Sequence, residues 1–133
     1  MFLSLLVLFS VYIGNGDIII KDQWMRPGAE KMATALYFTI ENNGSESDTL
    51  FAVSTDVSKM VQLHETYSTG DMMGMREVEN IIIKPNSEFE LKPGSHHVMV
   101  MKLLRDITVG DEIEFNLHFK IAGDIKITAK AKK

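Results

Sequence analysis

From Asp17 onward, apolar segments of strand length are cut by turn-forming residues every eight to twelve positions or so, and no stretch carries a helical repeat. The C-terminal third shows the pattern most plainly. Ile113, Phe115, Leu117, Phe119 and Ile121 alternate with Glu112, Glu114, Asn116, His118 and Lys120. Side chains alternate faces along a strand, so this segment predicts one buried and one wet face. Ala122-Gly123-Asp124 then turns the chain into Ile125, Ile127 and Ala129, which alternate with Lys126, Thr128 and Lys130. This is a hairpin signature, and the chain as a whole reads as an all-β antiparallel sandwich or barrel.

The same reading upstream predicts strands over 18–25, 33–41, 49–54, 60–65, 72–78, 81–83 and 88–92. Arg26-Pro27-Gly28, Asn42-Asn43-Gly44-Ser45, Lys84-Pro85-Asn86 and Pro93-Gly94 provide turns between them, and 67–71, with Gly70, is expected to be a loop. A chain of 133 residues supports one core. Residues 1–13 are apolar apart from Ser4 and Ser10 and are followed by Gly14-Asn15-Gly16. That run is shorter than the roughly 20 residues a membrane-spanning helix needs, so 1–16 is expected to be a signal peptide and 17–133 the functional domain. No Lys or Arg stands near Met1, which is unusual for such a signal, and no cysteine follows for lipid attachment. The mature domain is expected to be exported, periplasmic and monomeric.

Charge and composition remove several function classes. Fourteen Lys and Arg against 18 Asp and Glu give a net charge of −4, the wrong balance for gripping a phosphate backbone. The absence of cysteine excludes a disulfide scaffold, a zinc–thiolate site, an iron–sulfur cluster, a blue-copper centre and a cysteine nucleophile.

Nine methionines are the unusual remainder. His64, His96 and His97 fall between positions 64 and 101, together with Met72, Met73, Met75, Met99 and Met101. Within a strand, His97 and Met99 share a face with Cα atoms about 6.6 Å apart. His64 is expected at the end of an earlier strand and Met75 across the loop that follows it. Thioether sulfur is soft and uncharged and favours Cu(I) over hard cations, and it withstands an oxidising compartment in which a thiolate pair would form a disulfide. Taken singly, a strand methionine is usually core filler and a lone histidine a surface or hydrogen-bonded residue. His118, on the wet face of its strand, belongs to that class, and Met25, Met32 and Met60 read as packing.

From His64, ten residues intervene before Met75, twenty-one more before His97 and one before Met99. This spacing resembles the H(M)-x10-M-x21-H-x-M signature of the PCuAC periplasmic copper chaperones. Similarity extends over Trp24 with Arg26-Pro27-Gly28-Ala29, Thr39-Ile40-Glu41-Asn42, Val61-Gln62-Leu63-His64-Glu65 and Leu91-Lys92-Pro93-Gly94, covering about residues 18 to 129. The resemblance implies a cupredoxin-like (immunoglobulin-like) antiparallel β-sandwich holding one Cu(I) on His64, Met75, His97 and Met99. It also implies delivery to a copper-accepting partner, in many bacteria the dinuclear copper centre of cytochrome c oxidase subunit II or another copper chaperone. Thr66 stands where many members carry a methionine, and the terminal Lys130-Ala131-Lys132-Lys133 lacks the Met- and His-rich extension that some members use for a second copper. Met73, His96 and Met101 are expected to assist at most.

Two other function classes compete with a carrier. An enzyme would need a richer histidine set or a catalytic triad or carboxylate pair, and Glu112 and Glu114 read only as solvated charges, so no catalysis is expected. An immunoglobulin-like binding module with an accidental His–Met cluster, and a copper storage or resistance protein, are the alternatives within reach of the same sequence.

Overall fold

The computed structural model describes residues 17–133. The expected export signal, 1–16, lies outside the described residues. The described chain holds ten strands: β1 Ile18–Met25, β2 Thr34–Asn42, β3 Asp48–Thr55, β4 Met60–Thr69, β5 Met72–Glu77, β6 Ile81–Ile83, β7 Ser87–Leu91, β8 His96–Met101, β9 Glu112–Phe119 and β10 Gly123–Ala131. Among the described residues there is no helix, and so none that could cross a membrane. The strands hydrogen-bond in the order β5-β4-β8-β2-β1-β10-β9-β3-β6, with β7 pairing the far end of β2. This is a cupredoxin-like sandwich whose two halves close on one apolar core. Neighbours pair antiparallel except β1 and β10, which run parallel through Trp24↔Lys130 and Met25↔Ala131, so the sheet is mixed.

The core is what the alternation predicts except at Ile121, which lies past the end of β9 where the chain turns and is exposed, while Ala122 is buried. Ile113, Phe115, Leu117 and Phe119 of β9 and Ile125, Ile127 and Ala129 of β10 point inward against Leu36, Phe38 and Ile40 of β2 and Val98 and Val100 of β8. Two features turn side chains toward the opposite, outer face where the candidate site lies. In β1, Ile18 and Ile20 face the core, and unbroken alternation would send Trp24 inward after them. Instead the register against β2 slips between Lys21 and Trp24, with Asp22 in the left-handed region at φ 59°. This bulge inverts the phase, so Met25 enters the core and Trp24 lies outside beside Tyr37.

The second feature is the β4–β5 hairpin. The expected loop at 67–71 is shorter than the sequence suggests, because β4 continues to Thr69 and only Gly70 and Asp71 turn the chain, Gly70 at φ 61°. Tyr67 lies across Gly74 of the facing strand, where an added Cβ would come within 2.8 Å of its hydroxyl. The Arg76 guanidinium stacks on the same ring at 4.8 Å. A strand pair with no core beneath it is thus stiffened by its own side chains.

Candidate metal centre

Register alone assembles the centre. Leu63 and Val98 pair across β4 and β8 and both face the core, so their neighbours His64 and His97, also paired, both face out. Gln62 pairs Met99 and Met60 pairs Met101 on that same outer face. Across the hairpin Thr66 pairs Met75 and Ser68 pairs Met73, which carries the face on to β5. His64 therefore lies in the middle of a strand rather than at its end, and Met75 lies diagonally across the β4–β5 pair from it, opposite Thr66, rather than across a loop. All four expected donors lie on one sheet face, inside strands, not at a loop rim.

The two imidazole rings are 5.7 Å apart, inclined at 51°. His97 is 4% exposed, enclosed on its other side by Tyr37, whose ring is 6.4 Å away and is itself stacked on Trp24 at 4.8 Å. Each ring has one nitrogen engaged. His64 Nε2 meets Gln62 Oε1 at 2.9 Å, and His97 Nδ1 faces the Ser95 carbonyl at a long 3.4 Å. With an amide or peptide oxygen as partner, those nitrogens carry the proton, which leaves His64 Nδ1 and His97 Nε2 with their lone pairs. These two nitrogens are buried and have no hydrogen-bond partner. Buried polar atoms are nearly always paired, so two adjacent orphans on facing rings call for a ligand.

Burial holds the His97 imidazole below the ordinary histidine range; the Ser95 carbonyl opposes this, and the proximity of His64 and His96 adds to it. That shift favours the neutral ring, the form a metal ligand requires. Among the described residues no group of three His, Asp or Glu converges on one point. Thioethers share the face with the two rings, along with the neutral oxygens of Gln62, Thr66 and Ser68. Met99 is half-buried beside His97, while Met75 is 56% exposed on the edge strand.

The residues held in reserve separate cleanly. Met101 and Met73 lie on the outer face with the four donors, whereas His96 points to the opposite side, edge-on to Phe89 at 4.9 Å and 3.9 Å from Glu65. His118 has both ring nitrogens engaged, by Ser54 Oγ at 2.9 Å and Asp124 Oδ1 at 2.7 Å. Of the methionines read as packing only Met25 is buried; Met32 and Met60 are exposed. Gln62, which sets which nitrogen of His64 is free, could be singled out in sequence only as the same-face residue two positions before it.

A β-sandwich with a His–Met cluster on one outer face is the PCuAC type of domain. The chain belongs to the family described as putative lipoprotein LpqE-like, whose model matches residues 18–131. An uncharacterized protein of Rickettsia prowazekii (strain Madrid E), RP573, is 29% identical over 101 residues, 72% of this chain. The putative lipoprotein Lxx21020 of Leifsonia xyli subsp. xyli (strain CTCB07) is 28% identical over 97 residues, again 72% of this chain. The matched regions span 56% and 58% of those two proteins. Among solved structures, the copper-bound PCuAC domain from PmoF2 superposes with a TM-score of 0.76 at 26% identity, over 93% of this chain and 96% of that one. The Cu(I) form of DR1885 from Deinococcus radiodurans gives a TM-score of 0.68 at 25% identity, over 90% and 83%.

Proposed function

We propose that this domain is an exported, periplasmic, non-enzymatic Cu(I) carrier that holds one ion on His64, Met75, His97 and Met99 and passes it to a copper-accepting protein. The observation that carries the reading is the pair of buried, unpartnered nitrogens, His64 Nδ1 and His97 Nε2, on facing rings beside thioethers. Its supports are the copper-bound and Cu(I) structures of similar domains and, for export, the lipoprotein names of its family and of a relative.

Two neutral imidazoles and two neutral thioethers leave the bound ion's single positive charge uncompensated, which suits Cu(I) and disfavours the harder Cu(II). The donors differ in accessibility. Met75 stands on the exposed edge strand and His97 is enclosed by Tyr37, so an incoming ligand displaces Met75 first and His97 last. Such stepwise replacement moves the ion without freeing it into solution. The recipient we propose is the copper domain of cytochrome c oxidase subunit II, with the domain acting as a monomer.

The expected result is one Cu(I) per chain by native mass spectrometry, with an affinity strongly weakened in a Met75→Ala, Met99→Ala double variant. Unchanged affinity in that variant would refute the ligand set. Transfer from loaded protein to the isolated soluble copper domain of an oxidase subunit II tests the recipient. Tight binding without transfer would turn the reading to storage or to a different acceptor.

A further inference from the structure

The outer face of β4 and β8 continues past the four donors. Met60 and Met101 are directly paired on it, one register step beyond Gln62 and Met99. Side chains of directly opposed strand residues have Cβ atoms about 4.5–5.5 Å apart, and diagonal neighbours about 7–8 Å, within reach of a methionine on each side. Met99 and Met101 share the face at a two-residue step, about 6.6 Å. Met60, Met99 and Met101 therefore form a triangle of thioethers, and Met99 is also a corner of the His–Met centre. The backbone under the pair is pinned by Ser58, whose buried hydroxyl accepts from the Met60 amide at 3.0 Å and donates to the Met101 carbonyl.

Packing does not account for these side chains. The core lies on the other face of both strands, under Leu63, Val98 and Val100, and Met60 is 37% exposed. The outer faces of β9 and β10 show what an unassigned wet face carries in this protein: Glu112, Glu114, Lys126 and Lys130, and no methionine.

We propose that Met60 and Met101, with Met99, form a second soft-metal station, an all-thioether site for Cu(I) or Ag(I) that feeds the His64–His97 centre through the shared Met99. Uncharged sulfur donors without imidazole or carboxylate select a soft monovalent cation and hold it more weakly than the mixed centre does. A weak station next to a tight one gives the ion a downhill step, with Met99 released from one and retained by the other. The station itself stands on the register; its feeding role rests on the function proposed above.

The test uses the full domain with ¹³C-methyl-labelled methionine, titrated with Ag(I) as a redox-inert stand-in for Cu(I) and followed by NMR. The first equivalent is expected to move the Met75 and Met99 methyl signals and further Ag(I) those of Met60 and Met101, with the second phase lost in Met60→Leu, Met101→Leu. That exchange conserves volume, and an unchanged thermal midpoint confirms the fold. The same double variant is expected to load its His–Met centre from a Cu(I)–chelator complex several-fold more slowly, at unaltered final affinity. Met60 and Met101 signals that stay fixed through excess Ag(I) overturn the station, and an unchanged loading rate overturns its feeding role. Movement of Met60, Met99 and Met101 with Met75 silent would leave the station standing and remove the His–Met centre instead.

Discussion

Two wet faces of this sandwich each carry histidine, and they treat it in opposite ways. On the outer face of β9, His118 is bonded through both ring nitrogens, to Ser54 and to Asp124, with Asn116 beside it on its own strand and the Phe51 ring 6.3 Å away. On the outer face of β4 and β8, His64 and His97 are each bonded through one nitrogen, and the other is buried without a partner. An imidazole with both nitrogens satisfied is part of the fold; one with a desolvated lone pair left over has a bonding requirement the fold does not meet. The local sequence separates the two only by their same-face neighbours, polar Asn116 beside His118 and Met99 beside His97. His118 and His97 both occupy strands beside same-face polar or thioether residues, and only the register with the next strand decides what the second nitrogen meets.

The largest effect expected from this contrast is on Cu(I) affinity. His97→Ala and His64→Ala each remove a donor, and the loss should exceed the roughly 10- to 100-fold that attends removal of a residue merely supporting a metal ligand. His118→Ala should leave affinity within experimental error. Competition against a Cu(I)-specific chelator measures all three. Equal losses at His118 and His97 would erase the distinction between the two faces.

Gln62 offers a finer probe, since it touches His64 without facing the ion as a donor. Its Oε1 holds the proton on His64 Nε2 and so keeps the lone pair on Nδ1. Gln62→Leu is expected to weaken Cu(I) binding by about tenfold. In the copper-free protein it should also convert a single His64 tautomer, seen in ¹⁵N imidazole shifts, into a mixture. A lost affinity with the tautomer unchanged would place the effect in packing beside Met99 instead.

How much of this was legible beforehand follows the same division. Strands with a core beneath them could be read from alternation: β1 has the expected bounds, and the β9–β10 hairpin closes where Gly123, at φ 82°, allows. The β4–β5 hairpin could not be read to its end, because Tyr67, Ser68 and Thr69 have no core to alternate against and are ordered by Gly74 and Arg76 on the facing strand. The candidate donors His64, Met75, His97 and Met99 could be named because their spacing resembles the PCuAC signature. Their meeting was not legible, since the pairing His64↔His97 joins residues from strands that are separated by β5, β6 and β7 in the chain. Exposure of Met32 and Met60 was illegible for a related reason: methionine packs anywhere, so its burial has no pattern to betray it.

The smallest effect is also the one whose sign separates the two faces. A buried polar atom without a partner costs about 1–3 kcal/mol, whereas a neutral hydrogen bond contributes about 1 kcal/mol net. His97→Leu removes the orphaned Nε2 at the expense of one long bond to Ser95, and fills a pocket already walled by Tyr37. It should therefore stabilise the copper-free domain by about 1 kcal/mol. His118→Leu gives up two short bonds and leaves Ser54 and Asp124 to solvent on a partly exposed surface, and should destabilise by a similar amount, about 1 kcal/mol. Urea midpoints of the two copper-free variants, at an unchanged slope, measure the difference directly. Opposite signs mean that His97 is kept at a cost in stability because the site needs its lone pair; a loss of stability in both would mean that His97, like His118, is there for the fold.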